Sequence, residues 1–266
     1  RFLGRDLALI GSVAAILVGV DLALPPWVRA DLAFDHEAFE PVTLYTSAFV
    51  HLDLWHLLGN VAGYVAAALV AYGLCVQIDR RRWFLITFTW FLAVLPVAVS
   101  LTSYAVLELL YPTIDPVSRG FSGVGAAFAG FVFVALLAAL DRVYGYRTAG
   151  FVGLAVWLSL LLEVYLIYVG RVSPFVAGLV GLGWAGSLWG LRRERTVEAA
   201  SVGDRFHQEL PRLLQIGLVV VLLLSFVSVL FPADIVDDGA VTNVFAHAAG
   251  FLYGIAGAAL SFRASR

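Results

Sequence analysis

Eight stretches of this chain are apolar over the roughly 17–25 residues that a helix needs to cross a bilayer, and they decide what it can fold into. They lie near 6–24, 48–77, 83–110, 122–140, 149–169, 173–191, 213–231 and 243–262. Hydrophobic residues make up 61% of the 266 and charged residues only 14%. No single aqueous core could hide that much apolar surface, so lipid is part of the solvent. Nothing alternates with the period of two and the frequent turns of a β-barrel. The expected fold is an all-α polytopic bundle, a single transmembrane domain over 1–266 with no separate soluble domain.

All 17 basic residues are arginines, and they orient the bundle. With a cytoplasmic N-terminus, fourteen fall on inside segments and only Arg29, Arg119 and Arg171 outside. This bias predicts that both termini are cytoplasmic. The alternation also supports the number of spans, because one missed helix would scramble it downstream. With a net charge of −2 and no basic patch, nucleic acid is excluded as a partner. Cys75 is the one cysteine, so no intrachain disulfide is possible; it reads as apolar filler. No methionine occurs, so Arg1 is expected to lie inside a longer natural chain. Asp115 falls in the proline-broken segment 111–116, read as an irregular outer loop. The segment 192–212 reads as a polar inner connector. Pro232–Thr242, with Asp234, Asp237 and Asp238, reads as an outer loop.

Polar side chains inside spans are costly to keep there, so each needs a reason. His56 and Asn60 are four apart and share a helix face. They could be hydrogen-bonding polars that join helices, or a functional pair. Ser122, in Gly120-Phe121-Ser122-Gly123, opens a span right after the proline-broken loop. Such a serine is commonly a helix cap. Yet glycines on both sides leave it sterically open, and a helix start offers unpaired N–H groups to negative charge. His247 lies about one turn into the last span, on a stripe with Gly250, Gly254 and Ala258. Small residues so spaced let helix backbones approach closely. A facing stripe is expected at Ser122, Gly125, Ala126 and Ala129, which would bring Ser122 and His247 together. Spans two, four and eight run in the same direction, and their polar groups share one depth.

In combination, His51-x4-His56-x3-Asn60, Gly120-x-Ser122-Gly123 and Ala246-His247-x2-Gly250-x3-Gly254 resemble the rhomboid family of intramembrane serine proteases. The motifs stand in that family's chain order. The resemblance implies a serine endopeptidase that cuts membrane-protein substrates with a Ser–His dyad. Ser122 would be the nucleophile and His247 the general base. His56, Asn60 and the Ser122 backbone N–H would hold the oxyanion. Gly120, Gly123, Gly250 and Gly254 would support helix packing. No metal or other cofactor is implied. The partners would be transmembrane substrates and the lipid bilayer.

Three departures accompany the likeness. The family core has six spans, so two are extra here, and the hairpin 149–191 is the expected insertion. Position 126 is Ala where the family usually carries an aromatic on which the histidine stacks; Phe128 lies on another face. The family's Trp-Arg pair is met only loosely by Trp27-Val28-Arg29, which receives no role. Two other functions compete. A non-catalytic rhomboid-like binder would typically lack the serine or the histidine, and both are present. A transporter could relay protons through Glu163, whose plainer reading is a hydrogen bond to a neighbouring helix. His36 is expected to be a solvated loop residue. Trp55, Trp83 and Trp90 are expected to be interface anchors or packing residues.

Overall fold

The computed structural model describes residues 2–110, 117–194, 202–233, 236–237 and 240–265. Among these residues the regular structure is helical apart from two short strand pairs, and eight helices are long and apolar enough to cross a membrane. Helices dominate because lipid offers no hydrogen-bond partner to the backbone, so each segment must satisfy its own N–H and C=O groups. The chain divides into two compact units, Arg1–Val132 with Asp234–Arg266, and Phe133–Ala233.

The first unit contains α1 (Leu3–Ala23), α2 (Pro26–Asp31), β1 (Phe34–Asp35), α3 (Thr43–Thr46), α4 (Leu54–Gln77), α5 (Arg81–Leu110), β2 (Val117–Ser118), the first part of α6 (Ser122–Tyr144) and, after the second unit, α10 (Val244–Ala264). The start of α6 is sheathed in aromatic rings. Phe128 meets Tyr64 of α4 and both Phe88 and Phe91 of α5 edge-on. Phe131 does the same to Trp83. Such edge contacts suit the ring quadrupole. Trp83 is fully buried and its indole N–H donates to the Ala258 carbonyl of α10, so it is a packing residue. Trp55 is 82% exposed, as an interface anchor would be.

One buried charge cluster lies away from the loops. Asp6 of α1 takes a two-pronged ion pair from Arg81 of α5, 2.6 Å at each oxygen, and a hydrogen bond from Tyr72 of α4 at 2.8 Å. Planar two-point contact is what arginine supplies to a carboxylate. It ties three spans together where an unpaired charge would be costly.

In the second unit, α6 continues to Tyr144 and is followed by α7 (Tyr146–Val169), α8 (Pro174–Glu194) and α9 (Val202–Leu230). α7 ends on Gly170, which takes the left-handed conformation (φ +71°) that glycine tolerates, and α8 returns antiparallel. Leu158 and Phe151 of α7 fill the space left by Gly183 and Gly190 of α8. Glu163 accepts a hydrogen bond from Ser228 of α9 at 2.6 Å. That is the plain structural reading of this membrane carboxyl.

The structure departs from the sequence reading at several places. The second span starts at Leu54 and not near 48, because Asp53 caps it and Val50 is extended; His51 therefore precedes the helix. α9 begins at Val202, inside the segment read as connector, since polarity limits where lipid lies and not where helical bonding stops. Within Pro232–Thr242 there is a short hairpin, β3 (Val236–Asp237) with β4 (Ala240–Val241). The segment 111–116 with Asp115, the rest of the connector at 195–201, and Asp234 and Asp238 lie outside the described residues.

The contact between α6 and α10 is the closest in the first unit. A Cβ on Gly250 would fall on the carbonyl of Gly123, and one on Gly254 on the carbonyl of Ala127. Around Gly125 nothing lies within 4 Å of that position. The α6 stripe is thus Gly123, Ala127 and Gly130, one residue on from the expected Ser122, Gly125, Ala126 and Ala129. This rotation puts glycine at the point of backbone contact and leaves Ser122 beside it. Gly254→Ala should destabilise the protein by about 1–3 kcal/mol, as overpacking of a tight interior does. Gly125→Ala should be close to neutral. Unfolding in mixed detergent micelles compares the two.

Candidate active site

The site forms where α4, α6 and α10 begin. Asp53 caps α4 through the His56 N–H at 2.9 Å. Leu52 N–H points at His56 Nδ1 at 3.5 Å. A backbone N–H only donates, so this contact leaves the ring proton on Nε2. That nitrogen faces the serine loop: a Cβ on Gly120 would come within 2.7 Å of it. Gly120 also adopts φ +111°, open to glycine and strained for other residues. Two independent constraints thus require glycine there. One turn along α4, Asn60 is buried, and its Nδ2 donates to the His56 carbonyl at 2.7 Å, leaving its second proton for another acceptor.

Ser122 is the first residue of α6, so its N–H belongs to the unpaired set at a helix start. The loop before it is held at each step. β2 pairs antiparallel with β1, Phe34 opposite Ser118. Gly120 N–H donates to the Ser47 carbonyl at 2.8 Å. Phe121 N–H approaches His51 Nε2 at 3.4 Å.

His247 is the fourth residue of α10, and its Nε2 lies 2.8 Å from Ser122 Oγ. With no aromatic at Ala126, α10 is set by backbone contact at Gly250 and by its cap. Asn243 accepts from the Ala246 N–H at 3.0 Å, and its amide donates to Ser103 and, at 3.3 Å, to Ser118. Asn243 thus links the histidine helix to α5 and to the strand before the serine loop. Sequence reasoning missed it, although an Asn three residues before a helical N–H is a recognisable cap signal.

His36 is not solvated. It is 4% exposed, packed against Phe34 and Tyr104, with Nε2 3.1 Å from Ser118 Oγ. The β1–β2 pairing carries it inward, and that pairing joins residues some eighty positions apart. Arg29 also gains a place: it pairs with Asp21 at 2.5 Å, and its Nη1 lies 3.5 Å from the His51 carbonyl. Arg119, next to Gly120, is held below the usual arginine range by burial and then by the nearby Arg29 charge.

His51 is fully buried, with Nδ1 2.7 Å from Asp21 Oδ2. Burial lowers its proton affinity below the ordinary value of 6.5; the bond and charge of Asp21 oppose this, Arg29 adds to it and Asp53 works against it, while the His56 ring stands edge-on at 5.2 Å.

A model of the Rhomboid domain matches residues 38–195, more than half of the chain. The matched part holds His51, His56, Asn60 and Ser122, and it ends before α10 and His247. No curated protein and no solved structure matches the chain.

The His51 shift sets a sign. Between the lowered folded value and about 6.5, the unfolded chain takes up a proton that the folded chain refuses. The contribution is therefore complete above about pH 6.5 and is lost as pH falls through the folded value. Melting in detergent should fall from pH 7 to pH 5, and His51→Gln should reduce that slope.

Proposed function

Because this chain belongs to the rhomboid family, we propose that it is an intramembrane serine endopeptidase that cuts other membrane proteins with Ser122 and His247 as a dyad. The observation that carries this reading is the 2.8 Å approach of His247 Nε2 to Ser122 Oγ. A serine hydroxyl is a poor nucleophile until a base within hydrogen-bond reach takes its proton.

His247 Nε2 accepts the Ser122 proton as Oγ bonds to the scissile carbonyl carbon, and the carbonyl π electrons move to oxygen. The oxyanion is held by Ser122 N–H, His56 Nε2–H and the free Nδ2 proton of Asn60. These donors are fixed before the reaction, which is what makes them effective. Collapse breaks the C–N bond, and His247 passes its proton to the leaving amine. Water then attacks the acyl-enzyme, gives its proton to His247, and Ser122 leaves as the alcohol on taking that proton back. The substrates are transmembrane segments that reach the outer ends of α4, α6 and α10, and both termini face the cytoplasm. The hairpin of α7 and α8 is the pair of spans added to the six-span core. Ala126 favours the non-catalytic binder, but glycine-mediated backbone contact supplies an alternative way to place His247.

In proteoliposomes, the wild type should cleave a transmembrane reporter, while Ser122→Ala and His247→Ala should not. Asn60→Ala should lower kcat roughly 10²–10³-fold, as loss of one oxyanion donor does. A fluorophosphonate should label Ser122 in the wild type. Absence of both cleavage and labelling would favour the binder.

A further inference from the structure

The chemistry above leaves the buried imidazole of His51 unused. His51 stands between the turn Ser47–Phe49 and α4, with no exposed side-chain surface. Its Nε2 faces the Phe121 N–H at 3.4 Å, and its Nδ1 faces Asp21 at 2.7 Å. A backbone N–H cannot accept, so Nε2 must present its lone pair and the ring proton sits on Nδ1, donated to the carboxylate. Asp21 lies near the end of α1 and is braced by Arg29, which reaches back to the His51 carbonyl. A carboxylate behind an imidazole fixes the tautomer and the ring orientation, as it does behind histidines in other sites.

We propose that Asp21 and His51 are positioning residues, a carboxylate–imidazole relay that holds the Phe121 N–H and so aims the adjoining Ser122 N–H and hydroxyl. This rests on the protease reading above. Three successive N–H groups leave the loop at Gly120, Phe121 and Ser122. The first is fixed by the Ser47 carbonyl at 2.8 Å. Gly120 imposes little conformational restriction of its own, so one anchor leaves the next peptide free to turn. The second anchor, on Phe121, removes that freedom immediately before the nucleophile. At 3.4 Å it is long, as such bonds often are before substrate binds. The relay is separate from the dyad, because its imidazole touches loop backbone and not Ser122.

Two substitutions divide the roles of the ring. His51→Gln can place its amide oxygen near Nε2 and accept from Phe121. His51→Asn keeps an amide near Nδ1 for Asp21 and leaves Phe121 unpaired. For the full chain in proteoliposomes, His51→Asn should lower kcat roughly 10–100-fold with little change in KM, a loss typical of slight misplacement. His51→Gln should recover most of it. Asp21→Asn should also lower kcat, and less so in a His51→Asn background, because the two act in series. Equal losses in the Gln and Asn variants, in step with their melting temperatures, would overturn the relay in favour of a purely structural role. Full kcat in His51→Asn, from a wild type that cleaves and takes a fluorophosphonate at Ser122, would overturn the relay alone. A wild type that does neither overturns the protease reading and the relay with it.

Discussion

The geometry of the first unit depends on two helices touching backbone to backbone. In lipid, helices gain little from hiding apolar side chains from one another, so association rests on close packing and on hydrogen bonds. Gly250 and Gly254 let α10 lie against the carbonyls of Gly123 and Ala127. That contact leaves no freedom of approach, since any Cβ would collide. The 2.8 Å between His247 and Ser122 follows from it, as the two residues flank the tightest point. Where a stacked aromatic could have braced the histidine, Ala126 is small and wholly buried. Position is here set by main chain, which has fewer ways to relax than a side chain.

A second constraint is the satisfaction of polar groups at the start of the helices. Asp53 caps α4 and Asn243 caps α10, each through a side-chain oxygen on an N–H three residues on. α6 opens on Ser122, whose N–H belongs to the unpaired set at a helix start.

Much of this was legible in the sequence because lipid simplifies it. Uninterrupted apolar runs marked all eight spans, and the i, i+4 spacing placed His56 and Asn60 on one face. The glycines of α10 announced close packing. What escaped was whatever depended on rotation or on distant pairing. The α6 stripe was off by one residue, since small residues fill several faces of that helix and only the position of Gly250 selects among them. His36 reads as loop until β1 pairs with β2 and carries it inward. Asp21 sits at the end of an apolar helix, thirty residues before its partner His51, and nothing in local spacing joins them. Asn243 was readable as a cap, yet its ties to Ser103 and Ser118 were not.

The directions of two backbone hydrogen bonds decide where the imidazole protons sit. Leu52 N–H at His56 Nδ1 and Phe121 N–H at His51 Nε2 are both backbone donors, and each fixes a tautomer. The two rings stand edge to face, 5.2 Å apart, with opposite assignments. His56 is left with a donor aimed at the serine loop, and His51 with an acceptor. A doubly protonated ring at either place would set N–H against N–H. His51 thus presents a lone pair to the Phe121 N–H, while His56 keeps its Nε2 proton toward the space beside Gly120.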